Sequence, residues 1–177
     1  TAAVSGLDPE RPEDVEQIRG QVEIATTPGR IESVALDPAD PTACPEAVTA
    51  IEDADWVVLG PGSWFTSVIP HLMVPGLSDA LASTDARLVV VLNLEAQAGE
   101  TSGFAPVDHL AVLLAHAPRL RIHTVLADAD AVADDLDELA GAVADLGARL
   151  VVDDISVPGQ PRHDPELLAR AVARIVD

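Results

Sequence analysis

Short apolar runs alternate with helical periodicity through the last two-thirds of the chain. Trp56–Leu59 and Leu88–Leu92 are unbroken apolar runs, and Ile122–Ala127 and Leu150–Val152 repeat the signature. Runs of that length, rich in Val, Ile and Leu, predict strands covered on both faces. The stretches between them read as helices. Pro45 opens a short one with Val48 and Ile51 inward, and Thr66–Met73 and Leu77–Ala82 supply further helical turns. Pro106 opens a helix whose Val107, Leu110 and Leu114 share a face. Leu136, Leu139, Val143 and Leu146 make an amphipathic helix with Gly147 as its C-cap. Asp164-Pro165 is an N-cap and first-turn pair for a last helix that turns Leu168, Ala171, Val172 and Ile175 inward. This alternation predicts the α/β class: a mostly parallel sheet, right-handed crossovers and helices on both faces.

The beginning reads differently. Thr1–Gly20 is polar and acidic and is broken by Asp8-Pro9 and Arg11-Pro12. Val22–Thr26 and Ile31–Leu36 alternate on either side of Pro28-Gly29, the pattern of a small N-terminal β-hairpin. No internal repeat interrupts residues 1–177, which read as a single α/β unit.

Composition narrows the chemistry. Hydrophobic residues make up 48% of the chain, enough for a folded core, yet no apolar run reaches the length of a membrane span. The formal net charge is -20, and all 10 basic residues are Arg. Such a surface excludes nucleic acid and anionic membranes as partners, because both are recognised by clustered cations. The absence of Lys excludes a Schiff base or a Walker-type phosphate Lys within this segment. The single Cys44 forms no internal disulfide and fits a cytoplasmic location.

Two loops carry the candidate chemistry. Gly60-Pro61-Gly62-Ser63-Trp64-Phe65-Thr66-Ser67 follows the first buried strand and leads into a helix. Glycines there let backbone N–H groups approach a phosphate, although a ligand-free strand-to-helix turn has the same spacing. Asn93–Thr101 follows the next strand, with Asn93, Gln97 and Thr101 as polar candidates. Asn93 reads equally as a contact to a ligand hydroxyl or base and as a hydrogen-bonding partner of loop backbone. Arg162, before the last helix, is either an anion contact or a solvent-exposed residue beside a cap. The five His residues show no metal-ligand spacing beyond the weak pair His109 and His116. Asp128/Asp130 and Asp153-Asp154 are the acidic pairs that could take Mg²⁺.

Gly60–Pro70 resembles the GPGS-aromatic-TS-x-x-P signature of the YvcK-like gluconeogenesis factors, which are similar to the CofD 2-phospho-L-lactate transferases. Asn93-Leu94, Gln97, Gly99-Glu100-Thr101, Gly103-Phe104 and Asp108-His109 resemble that family's second signature, in the expected order and spacing. Thr27-Pro28-Gly29-Arg30 looks like the actinobacterial branch. The resemblance runs from about Gly20 to the end and covers the C-terminal half of the family pattern. The family's Gly-Gly-Gly-Thr-Gly loop and first half are not in this sequence, and they are the missing partner of the fold. The resemblance implies a Rossmann-like fold. It also implies a cytoplasmic bacterial regulator that binds UDP-N-acetylglucosamine or a related nucleotide and links central carbon metabolism to cell-wall synthesis and cell shape. By that resemblance Gly60, Pro61, Gly62, Ser63, Thr66, Asn93, Gln97, Thr101 and Arg162 border the ligand, with no catalytic residue and no resident metal. The alternative is a CofD-like transferase of deazaflavin coenzyme biosynthesis, with Mg²⁺; such enzymes carry Gly-Pro-Ser-Asn-Pro where this chain has Gly60–Trp64. Ala96 stands where relatives have Thr, and the chain lacks both Tyr and any Thr beyond Thr124. A homo-oligomer is compatible with all of these readings.

Overall fold

In the computed structural model, which describes residues 1–177, the N-terminal stretch forms a small antiparallel sheet. β1 (Ala2–Ser5) lies between β2 (Val15–Ile18) and β3 (Arg30–Val34). The expected hairpin is not formed. Its first arm is a helix, α1 (Gln21–Ala25), and its second arm, β3, pairs with β1. Over five residues an alternating pattern and a single helical turn bury the same number of side chains. Here Ile24 alone points inward, while Val22 is exposed. The partner of β3 is the small-residue run Ala2–Ser5, whose Ala2 and Val4 are fully buried.

The larger sheet follows the apolar runs. Helix α2 (Pro45–Glu52) leads to β4 (Trp56–Leu59). A π-helical turn at Trp64–Val68 runs into α3 (Ile69–Met73) and α4 (Pro75–Ser83). Next come β5 (Arg87–Val91), α5 (Pro106–His116), β6 (Thr124–Asp128), α6 (Leu136–Asp145), β7 (Arg149–Asp153) and α7 (Pro165–Val176). The four strands lie in the order β4-β5-β6-β7, all parallel. Asp164 caps α7, its Oδ1 accepting from the N–H groups of Glu166 and Leu167 at 2.9 and 3.1 Å.

Strand side chains alternate between two cores. Leu88, Val90, Leu92, Val125 and Ala127 join the main core with Trp64, Ile69, Leu113 and Leu139. Val89, Val91 and Leu126 face the other way, into a smaller core under α7 with Ile155, Ala171 and Ile175. Helices therefore cover both faces, unequally, and every strand ends towards the same rim. No helix is long and apolar enough to cross a membrane.

Leu126 is fully buried in the smaller core, whereas Val58 on the β4 edge is 45% exposed. Leu126→Ala is expected to lower unfolding free energy by about 2–5 kcal/mol, and Val58→Ala by less than about 1 kcal/mol. Urea titration of the two variants beside the parent measures both.

Candidate functional site

The loops after β4 and β5 are locked together at the C-terminal rim of the sheet. Gly60 leaves β4 at φ 75°, with the place of its missing Cβ only 2.7 Å from the Val91 carbonyl oxygen. Only glycine lets the two strands' exits approach so closely. The next peptide, Gly60–Pro61, is cis. Asn93, just past β5, then grips Gly62 from both sides. Its Oδ1 accepts from the Gly62 N–H at 3.0 Å and its Nδ2 donates to the Gly62 carbonyl at 2.9 Å. Of the two roles open to Asn93, the structure shows the hold on loop backbone.

Glu100 makes the second lock. It is 4% exposed. Its Oε1 accepts from Ser63 Oγ at 2.9 Å and from Thr66 Oγ1 at 2.6 Å, and its Oε2 accepts from the Phe65 N–H at 2.8 Å. The hydroxyls of Ser63 and Thr66 are therefore engaged inside the protein. Thr101 is fully buried, and its Oγ1 accepts from the Gln97 N–H at 2.8 Å. The Gln97 side-chain oxygen is buried without a partner. Only the position of Glu100, three residues after Gln97 in the second signature, hints at this clamp in the sequence.

Three of the chain's four aromatic residues gather behind the clamp. Trp64 is fully buried, its Nε1 donates to the His109 carbonyl at 3.1 Å, and its ring meets the His109 ring edge-on at 5.1 Å. Phe104 packs edge-on against both Phe65 and His109. Such contacts fix ring orientation as well as burying area. The predicted pair His109 and His116 is divided: each Nδ1 lies against the carbonyl four residues earlier, Ala105 or Val112, and His109 is buried among the rings.

A third polar tie lies farther along the rim. Asp128, at the end of β6, accepts from the N–H groups of Asp130, Ala131 and Ile155 at 3.1, 3.2 and 2.9 Å. Burial alone would raise its pKa, but these bonds and the Ser156 hydroxyl outweigh it and hold the carboxyl below its usual range. Asp153 pairs with Arg174 and accepts from the Asp154 N–H. One carboxylate of each acidic pair is thus engaged by the chain's own donors, and no group of three or more His, Cys, Asp or Glu is placed to hold a metal.

Beyond β7 an antiparallel bridge between Ser156 and His163 closes the loop that carries Arg162. Arg162 is exposed and has no ion-pair partner. A rim crevice of about 320 Å³ lies between, bordered by Leu94, Glu95, Asp128, Ser156 and Gln160. Gly60–Thr66, Asn93, Gln97 and Thr101 thus form one cluster, and Arg162 stands apart from it. Its loop nonetheless borders the same crevice as the Asn93 loop, with Gln160 and Pro161 on one side and Leu94 and Glu95 on the other, and His163 lies against the Leu92 backbone. Another cavity, of about 530 Å³, lies behind the π-helical turn beside the small sheet, lined by Gln21, Ile24, Phe65 and His71 among others. It shares Thr66 with the clamp.

Residues 10–154 match the profile of the family 2-phospho-L-lactate transferase CofD. The chain belongs to the CofD family. Within that family it is similar to the "Putative gluconeogenesis factor" of Mycobacterium tuberculosis H37Rv, 51% identical over 170 residues, covering 95% of this chain and 49% of the relative. The Mycobacterium leprae protein of the same description is 50% identical over 173 residues, covering 97% of this chain and 48% of the relative. A UPF0052-family crystal structure from Bacillus halodurans superposes with a TM-score of 0.76 at 27% identity, covering 97% of this chain and 57% of that one. The chain therefore spans about half the length of the mycobacterial relatives. The expected membership, read from the two loop signatures, stands, as does the α/β fold.

Two outcomes follow from the clamp and the rings. Glu100→Ala leaves three donors without their buried acceptor and should cost about 3 kcal/mol, with faster hydrogen exchange across Gly62–Ser67 read by mass spectrometry. The second concerns pH. Burial holds the His109 imidazole below its ordinary 6.5, and the Ala105 carbonyl and Asp108 offset this only in part. The unfolded chain then binds the extra proton first as pH falls below 6.5, so stability is present above that pH and lost as pH falls towards the folded-state value. Thermal melting from about pH 7.5 down to about pH 5.5 should show that loss, with a shallower slope in His109→Phe. Part of the slope should persist, because burial also lowers His163.

Proposed function

We propose that the protein binds a UDP-sugar, UDP-N-acetylglucosamine in particular, and acts as a regulator linking carbon metabolism to cell-wall synthesis and cell shape. The observation that carries this reading is the rim itself. Four parallel strands deliver their loops to one edge, where open α/β sheets take nucleotide ligands. A preorganised glycine turn stands at one end and an unpaired Arg162 at the other. The internal bonds of Ser63, Thr66 and Asn93 change how the site would work. Backbone would face the phosphates, and these side chains would hold that backbone in shape. Ser63's own N–H has no partner within the protein and is the first candidate donor. A guanidinium matches a phosphate as a forked donor, the role given to Arg162. Regulation follows if the liganded rim is the form a partner protein recognises.

The second reading, a transferase of phosphorus-containing groups, is favoured by the family profile that residues 10–154 match. Incubation of the protein at its natural length with a deazaflavin precursor, activated phospholactate and Mg²⁺ tests it by product formation.

Calorimetric titration of UDP-N-acetylglucosamine into the protein at its natural length tests the first reading. Saturable binding is expected, and its absence would remove that reading. Gly62 has φ 152° and nothing within 4 Å of its missing Cβ. Gly62→Val should therefore distort the turn without a core clash. Affinity should drop at least about tenfold, a loss of about 1.4 kcal/mol, and the strain of Val at φ 152° should lower the melting temperature while the far-ultraviolet circular dichroism stays native.

A further inference from the structure

The outer edge of the large sheet carries a sequence complementary to itself. β7 has one neighbour, β6. The Arg149 N–H donates to the His123 carbonyl at 2.9 Å, and the Asp153 carbonyl accepts from the Ala129 N–H at 3.1 Å. In a parallel ladder this places the backbone groups of Arg149, Val151 and Asp153 on the β6 side. The N–H and C=O of Leu150 and Val152 therefore point outward. Natural edges avoid pairing by means of Pro, inward charge, Lys or a bulge. Arg149-Leu150-Val151-Val152-Asp153 has no Pro, Gly or Lys, its register with β6 is unbroken, and Val152 is 39% exposed. An open groove of about 550 Å³ follows the strand, walled by Ala171, Arg174 and Ile175.

We infer that β7 is the seam of a homodimer, in which two copies pair antiparallel about a twofold axis at Val151. In that register Leu150 of each copy lies opposite Val152 of the other. Their outward N–H and C=O groups form two fully hydrogen-bonded pairs, while Val151 meets Val151. Arg149 of each copy then lies directly opposite Asp153 of the other, on the same face of the sheet, at both ends of the seam. Directly opposed residues have Cβ atoms about 5 Å apart, and opposite charges there are favourable. Arg149 has no ion-pair partner in its own chain, and Arg174 already flanks Asp153. Each Asp153 would sit between two guanidinium groups. Registers centred on Leu150 or Val152 could also bond the backbone, but they set Arg149 or Asp153 against Val151. Charge complementarity thus selects one register and one occupant, a second copy. The result joins the two four-stranded sheets into one continuous sheet. The other edge, Trp56–Leu59, carries no charge and offers no such selection. Repulsion between chains of net charge -20 is screened over about 8 Å at about 0.15 M salt, a distance longer than the Arg–Asp contacts.

Sedimentation velocity of the protein at its natural length, from about 1 to 100 μM at about 0.15 M salt, tests the seam. A concentration-dependent dimer is expected. Val152→Pro removes an outward N–H and no bond to β6, so it should give a monomer with unchanged circular dichroism. Arg149→Asp and Asp153→Arg each set like charges opposite one another and should weaken the dimer at least tenfold. A mixture of the two variants should restore it, because each reversed residue then meets its complement. A parent that stays monomeric overturns the inference. So does a dimer that Val152→Pro leaves intact, or a mixture no tighter than its separate components.

Discussion

The buried carboxylate of Glu100 is the constraint from which the geometry of the sheet rim follows. One side chain from the loop after β5 satisfies two hydroxyls and a backbone N–H of the loop after β4. Removing that acceptor would strand donors in a water-poor place, so the two loops hold or fail as a unit. Asn93 repeats the logic on Gly62, and Asp128 repeats it between the loops after β6 and β7. Along the rim each loop is fixed by a polar side chain from its neighbour. Much of what looks like recognition chemistry in the sequence is spent on internal order. Backbone and the guanidinium of Arg162 remain to face outward, while the unpartnered oxygen of Gln97 stays buried.

Some features were legible in the residues and others were not, for separable reasons. The parallel sheet was readable because Leu88–Leu92 and its counterparts are too uniformly apolar to be anything but doubly covered strands. The start of α7 was readable because Asp164-Pro165 carries its own capping chemistry. At Val22–Thr26 the sequence reads as a strand but the chain is helical, because five residues cannot separate a strand from a helical turn. The true neighbour of β3, Ala2–Ser5, is too small in side chain to announce a strand. The two loop motifs meet at the sheet rim, and several of their polar side chains bond one another there. Ser63, Thr66 and Thr101 look like ligand contacts in one dimension, because a hydroxyl's partner is invisible until a second loop is placed beside it. Glu100 went unassigned for the same reason, since one acid among 30 gives no sign that it is buried.

The sheet is dressed asymmetrically. Its main core takes the π-helical turn and most of the helices, while α7 alone covers the other face. The Gly60 turn is therefore backed by dense packing, with Trp64, Phe65 and Phe104 behind it. The loop of Arg162 lies on the thinner side, closed by the Val157 N–H to the Arg162 carbonyl and the Asp164 N–H to the Ile155 carbonyl at 2.8 and 2.9 Å.

The placement of the two tryptophans has an optical consequence. They bracket β4: Trp56 opens the strand with the Arg87 guanidinium 5.3 Å from its ring centroid, and Trp64 follows its glycine turn, sealed from solvent. With no tyrosine in the chain, ultraviolet emission comes from these two indoles in unlike surroundings. The component from Trp64 belongs to the ring whose N–H bonds His109 and whose neighbouring residues are held by Glu100. The protein thus carries a built-in fluorophore against the loop clamp, with an internal reference at the far end of the same strand.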